Sequence, residues 1–172
     1  EPGVPRFIPA AAVEPSELPG RYGPFTSKRA ARETLRYLAR EHRLCWSALG
    51  LERRAGPCFA RQVRRCAGAC VGEETMEAHH TRLREALAPY AVPRWPYPGL
   101  AAIRERALLP ERTDVHVLRD WCWLGTARDE GELSELLQAP ARPQFDIDVT
   151  RLLLKRHAAG TLRLLPVGQA SA

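Results

Sequence analysis

The chain is predicted to be α+β, a helical four-cysteine module followed by a small antiparallel sheet with packed helices. Three observations carry that prediction. Two segments in the first half place apolar residues at helical spacing, and a later segment, DVHVLRDWCWLGTA, alternates and is rich in β-formers. Four of the five cysteines, Cys45, Cys58, Cys66 and Cys70, crowd into one short stretch of the helical half.

At 172 residues the chain fits one ordinary domain or two small ones, and 45% apolar residues are enough for a sizeable core. Residues 1–23 have the Pro- and Gly-rich composition of a linker or extended arm. An acidic, proline-bearing start without an initiator methionine is what a piece of a longer protein would show. The segment 24–92 reads as the helical cysteine module, 93–168 as a small α+β domain, and 169–172 as a tail.

The first helix is expected in TSKRAARETLRYLAREHRLC, capped by Thr26 or Ser27. Ala31, Leu35, Leu38 and Ala39 give it an apolar stripe, with Thr34 a weaker member at the border. A loop with Gly50, Gly56 and Pro57 leads to FARQVRRC, which is long enough for two helical turns, and AGAC makes a tight small-residue connection. The second helix, EETMEAHHTRLREALAPY, turns Met76, Leu83 and Leu87 inward, and its acidic start and basic end suit the helix dipole. Pro93, Pro96 and Pro98 then mark a boundary.

Beyond Gly99, LAAIRERALL reads as a strand or a short helix. DVHVLRDWCWLGTA reads as two strands joined by a turn near Arg119–Asp120, with Cys122 facing away from both Trp121 and Trp123. DEGELSELLQ is a short helix. DVTRLLLKRH is another, capped by Asp146 or Asp148 and closed by Gly160, and TLRLLPV is a last strand.

No stretch of about 18 apolar residues exists, so a membrane span is not expected, and no signal segment opens the chain. Five cysteines would leave one thiol over in a disulfide-stapled secreted protein. A reduced, cytoplasmic setting fits better and suits metal ligation.

The thiols of Cys45, Cys58, Cys66 and Cys70 are the candidate metal ligands. Their spacing, C-x12-C-x7-C-x3-C, has only one short pair, whereas structural zinc usually takes two. An iron–sulfur cluster tolerates separated donors, because each thiolate binds a different corner. The spacing and the apolar neighbours Leu44, Trp46, Phe59, Val63 and Val71 tilt the reading toward a [4Fe-4S] cluster. Zinc and ordinary buried thiols stay open. Cys122 is read as a small sheet residue, and His79 and His80 as surface or core-edge histidines before metal ligands.

Formal net charge is +6 and uneven: from Arg21 to Cys66 there are twelve Arg or Lys against three Glu. Lys28, Arg29, Arg32, Arg36, Arg40 and Arg43 form one basic set, and Arg53, Arg54, Arg61, Arg64 and Arg65 a second beside the cysteines. Such a field suits the phosphate backbone of DNA without base-specific reading, and predicts strong salt dependence. The plainer alternative is a solvated face.

Catalysis has little support. Asp120, Asp129, Glu130, Asp146 and Asp148 could be offered as a metal-dependent nuclease set, but Asp146 and Asp148 fit a helix cap and its neighbour better. His116 has no evident nucleophile beside it, and no phosphate-binding loop or hydrolase motif is present.

Residues 22–45, YGPFTSKRAARETLRYLAREHRLC, resemble the stretch that follows the GIY-YIG nuclease domain in UvrC-type excinuclease subunits. Residues 50–74, GLERRAGPCFARQVRRCAGACVGEE, resemble the Cho branch of that family more closely still. ALAPYAVPRWPYPGLAAIRE, DVHVLRDWCWLGTA and FDIDVTRLLLKRH extend the likeness over most of 22–157. Similar regions occur in proteins that join an exonuclease to a GIY-YIG domain.

The resemblance implies nucleotide excision repair, with lesions handed over by UvrA and UvrB. It also implies an iron–sulfur cluster on Cys45, Cys58, Cys66 and Cys70. The family's incision chemistry lies in the GIY-YIG domain, which these residues do not include. A noncatalytic DNA-binding module is therefore expected. The alternative is a protein-interaction module using Trp95, Trp121 and Trp123 to dock a nuclease or UvrB.

Overall fold

The computed structural model describes residues 4–53, 55–106, 113–138 and 145–167. Arg54, one of the predicted basic residues, lies outside them. The chain divides into two compact units, one of residues 1–9 and 25–91, the other of residues 10–24 and 92–172.

In the first unit, α1 spans Lys28–Glu41. Ser27 caps it, its hydroxyl accepting the Ala30 amide at 3.0 Å. Leu35, Leu38 and Ala39 are buried, as the stripe requires, while Ala31 is only half-buried. The helix stops because Arg43 turns left-handed (φ 51°), which lets the Leu44 amide bond back to the Ala39 carbonyl at 2.9 Å. That is a Schellman-type stop with arginine where glycine is usual. It folds Leu44 into the core and delivers Cys45 next.

The short α2 is Phe59–Gln62, a single turn where two were expected. Arg64 is left-handed (φ 59°) and ends the run, its amide bonding the Arg61 carbonyl. A 3₁₀ turn, Ala69–Val71, follows between left-handed Gly68 and Gly72. At Gly68 an added Cβ would lie 2.6 Å from Glu73 Cβ, so the backbone there needs glycine.

α3 is Met76–Leu87, capped by Thr75. Its inner face is His79, Leu83 and Ala86, with Leu87 partly buried. Two expectations are corrected. Met76 opens the helix and is exposed, and His79, expected at the surface or core edge, has no exposed area. Leu35, Leu38, Ala39, Leu44, Leu49, Leu51, Leu83 and Ala86 make one core, joined by Phe7, Trp46 and Tyr90.

The second unit carries an antiparallel sheet ordered β3-β2-β1-β4. β1 is Ala101–Arg106, β2 Thr113–Arg119, β3 Cys122–Ala127 and β4 Leu165–Pro166. Asp120 and Trp121, both left-handed, form the two-residue turn of the β2–β3 hairpin. Because Trp121 belongs to the turn, strand alternation does not reach it. Trp121 and Cys122 are both buried and only Trp123 is exposed, which corrects the expectation that Cys122 faces opposite both tryptophans. β4 is shorter than expected: Pro166 offers no amide to the ladder.

α4 is Glu130–Gln138, its start held by Asp129, whose carboxylate accepts the Glu132 amide at 2.8 Å. α5 is Ile147–Ala158, capped by Asp146, which accepts the amides of Asp148 and Val149. Left-handed Gly160 follows it. Buried Thr150 donates its hydroxyl to the Trp121 carbonyl at 3.0 Å, so α5 grips the hairpin turn. Leu18, Val92, Leu118, Trp121, Cys122 and Leu153 form the core of this unit. Leu18 comes from the segment read as an arm.

Candidate metal centre and nucleic-acid interface

Helix ends and tight turns deliver the four thiols. Cys45 follows the α1 stop, Cys58 directly precedes α2, Cys66 follows the loop that ends α2, and Cys70 lies in the 3₁₀ turn. Their sulfur atoms all lie within 4.8 Å of one another. Cys45, Cys58 and Cys66 are fully buried and Cys70 half-buried. Among the described residues these four are the group placed to hold a metal ion. Cys122 sits in the other unit's core, and burial pushes its thiol up to about 11.

Backbone amides aim at the cage. The Cys58 amide donates to Cys70 Sγ at 3.5 Å and the Gly68 amide to Cys66 Sγ at 3.3 Å. Burial raises the Cys45 thiol, and it pushes Cys66 up to about 12. Burial acts the same way on Cys58, but the Arg61 and Trp46 amides and the neighbouring thiols outweigh it and bring that group down. Four thiolates so close together repel, so ionising all of them calls for a cation at the centre.

The cage meets the demands of a four-thiolate centre: only sulfur donors, an apolar surround and N–H groups pointing at sulfur. Zinc at about 2.3 Å from each sulfur would set the tetrahedron's edges near ~3.8 Å, inside the observed limit. A cubane cluster takes one thiolate per corner and holds them farther apart, so it needs the cage to open. Cys70 lies in a 3₁₀ turn between two left-handed glycines, closed by the Val71 amide on the Gly68 carbonyl at 2.9 Å.

His79 is a residue that sequence reasoning underrated. Its Nε2 accepts the Cys45 amide at 3.0 Å. It is a neighbour of the thiol group, not a member of it. Burial keeps the ring below the usual imidazole range, consistent with the neutral acceptor. Arg82 adds a second brace. Its guanidinium pairs with the Glu74 carboxylate at 2.7 Å and reaches the Arg43 carbonyl at 3.4 Å, and that carbonyl also accepts the Ala67 amide at 3.1 Å. Nothing in the apolar periodicity of α3 signals either role.

The basic residues divide by environment. Lys28, Arg29, Arg40, Arg43, Arg53, Arg64 and Arg65 are exposed. Arg32 is half-buried, with Nη2 bonding the Leu51 carbonyl at 3.3 Å. Arg36 pairs with Glu33 and Arg61 with Glu73. The Arg40 guanidinium lies 6.0 Å from the Trp46 ring centroid.

Three of the acidic residues weighed as a nuclease set are engaged separately. Asp129 and Asp146 cap helices, and Asp120 sits in the hairpin turn, 3.6 Å from Arg119 Nε. His116 bonds Thr126 at 2.8 Å and Glu105 at 3.0 Å across the sheet. Trp121 is core: its indole donates to the Pro93 carbonyl at 2.9 Å and its ring meets Trp95 edge-on. That removes it from any aromatic docking surface. Among the described residues no helix is long and apolar enough to cross a membrane.

Residues 4–89 match the family model described as "UvrC/Cho excinuclease, middle domain", and residues 100–171 match "Excinuclease Cho C-terminal domain". Over 164 residues the chain is 37% identical to "Excinuclease cho" of Escherichia coli (strain K12), covering 94% of this chain and 54% of that protein. The Salmonella typhimurium protein of the same name is 37% identical over 160 residues, 92% of this chain and 53% of the relative. "UvrABC system protein C" of Rhodopseudomonas palustris is 42% identical over 71 residues, 40% of this chain and 10% of the relative. The chain thus spans about half the length of the Cho relatives it matches. No solved structure matches it. With the two family models matched one after the other along the chain, it belongs to the UvrC/Cho excinuclease family.

Proposed function

We propose that this chain is the noncatalytic DNA-contacting part of a longer excinuclease acting in nucleotide excision repair, built around a four-thiolate metal centre. The observation that carries the reading is the gathering of Cys45, Cys58, Cys66 and Cys70 within 4.8 Å, with exposed Arg43, Arg64 and Arg65 on the segments that deliver them. The family assignment supports a DNA substrate for the whole protein. The nuclease step belongs to a GIY-YIG domain outside this sequence, and incision by this chain alone is not expected. UvrB, with UvrA upstream, is the proposed protein partner.

The proposed occupant is a [4Fe-4S] cluster on the four cysteines. The all-sulfur donor set, its irregular spacing and the amides directed at sulfur support it. Bound, the cluster would ionise the thiols and tie four chain segments to one point. Zinc is the second reading, favoured by the tight sulfur spacing. Either way the protein's own part is to fix the ends of α1 and α2 so that Arg43, Arg64 and Arg65 meet the phosphate backbone.

Anaerobic purification followed by iron, sulfide and zinc analysis tests the centre. Iron with equal sulfide supports the cluster, and one zinc without sulfide replaces it. A protein with neither overturns the metal reading. DNA titration at two salt concentrations tests the interface: affinity should fall steeply with salt. A salt-insensitive or absent interaction refutes it, and cleavage by the chain alone refutes the noncatalytic role.

A further inference from the structure

The geometry points to a stacking site for an unpaired nucleobase on Phe59, so that this module selects DNA with exposed bases over intact duplex. The inference rests on the DNA-binding reading above and adds a ligand class to it.

Two of the four clustered cysteines are followed at once by aromatic residues, Cys45 by Trp46 and Cys58 by Phe59. Gathering the thiols therefore sets the two rings side by side, 6.1 Å between centroids and tilted by 42°. Trp46 is partly buried against the core, while Phe59 is 51% exposed. The backbone under Phe59 is held on both sides. Cys58 before it is fully buried, and the Phe59 amide donates to Glu52 at 2.8 Å. The ring is thus presented outward by a fixed support. Val63, one turn later, is also exposed.

Cationic residues share these segments, beside the one Glu52 carboxylate that accepts the Phe59 amide. Arg40 lies over Trp46, and Arg43, Arg64 and Arg65 are exposed. Hydrogen bonds fix the backbone of the last three on the cage segments: the Arg64 amide bonds the Arg61 carbonyl at 3.0 Å, the Arg65 amide the Ala60 carbonyl at 2.6 Å, and the Arg43 carbonyl accepts the Ala67 amide at 3.1 Å. Among the described residues none of these four arginines is in a salt bridge, whereas Glu73 is held by Arg61.

A single ligand chemistry fits an exposed aromatic ring on segments that also carry exposed arginines. An apolar protein surface would strand the arginines. Intact duplex offers phosphates but keeps its base faces stacked. An unpaired nucleotide carries a π face and a phosphate together, which is how sequence-tolerant single-strand binding works.

The test uses the full chain with its metal retained. Fluorescence anisotropy compares a labelled duplex with the same duplex carrying a central run of mispaired bases, at one salt concentration. 2-Aminopurine at an unpaired position reports stacking. Wild type should bind the mispaired DNA roughly tenfold tighter, with quenched 2-aminopurine emission. Phe59→Ala should bring that affinity down to the duplex value and abolish quenching, and Phe59→Trp should keep both. If Phe59→Ala loses metal, Phe59→Leu keeps apolar bulk and must still lose the preference. Equal wild-type affinity for the two DNAs, or equal losses on both in the variants, overturns the stacking site and leaves DNA binding standing. No binding to either overturns both.

Discussion

Replacing His79 with leucine tests the link between α3 and the thiol cage. Leucine is close to histidine in bulk, so packing is largely kept, but the acceptor for the Cys45 amide disappears. That site is fully buried, so water cannot replace the acceptor. Leaving a buried amide unpaired costs about 1–3 kcal/mol. One effect works in the other direction. Because Nε2 accepts, the ring proton sits on Nδ1, which is buried without a partner among the described residues, and leucine removes that burden. The expected loss is therefore about 1 kcal/mol, roughly fivefold in the unfolding equilibrium. Urea unfolding of the metal-loaded chain reads it as a lower midpoint at constant slope. Extraction of the metal by a chelator should be faster by about tenfold or more, because Cys45 loses its anchor. His79→Gln offers an amide oxygen in place of Nε2 and should recover most of both. The reasoning fails if leucine unfolds and releases metal like wild type, or if glutamine does no better than leucine.

Arg43→Gly should raise stability by up to about 1 kcal/mol, because the left-handed stop of α1 suits glycine, yet weaken DNA binding and lower the salt slope by about one; urea midpoints and salt titrations read the two effects. Asp146→Ala removes the acceptor of two amides at the start of α5 and should cost about 1 kcal/mol, whereas Asp148→Ala, lacking a cap role, should cost less than ~0.5 kcal/mol. Equal effects in urea unfolding would argue against the cap. The Cys122 thiol is raised by burial from 9.0 to about 11, so the folded state holds its proton where the unfolded chain releases it. Its contribution is complete below pH 9, is lost between about 9 and 11, and amounts to roughly 2–3 kcal/mol. Cys122→Ala should flatten that part of the stability–pH curve.

Period and turn chemistry made much of the fold legible. The Leu35–Leu38–Ala39 stripe placed α1, alternation placed the β2–β3 hairpin, and the Asp146/Asp148 pair marked the start of α5, where Asp146 is the cap. What was hidden is contextual. His79 is polar by type, and only the approach of the Cys45 amide makes its burial favourable. Met76 has the right spacing but occupies the first helical position, where the core does not reach. Trp121 broke the alternation because two left-handed residues put it in the turn. Leu18 lies amid prolines and carries no periodic signal, yet it enters the second core. The four thiols could be counted, and their spacing alone left several outcomes open. Their convergence depends on the Arg43 stop, the one-turn α2 and the two left-handed glycines.

The placement of Trp46 gives the first unit a built-in optical probe. The other three indoles, Trp95, Trp121 and Trp123, belong to the second unit, so Trp46 alone emits from the first. It adjoins Cys45 in the chain and packs against the cysteine cluster. An occupant that absorbs in the near ultraviolet and visible would drain its emission by energy transfer, while a filled-shell ion would leave it bright.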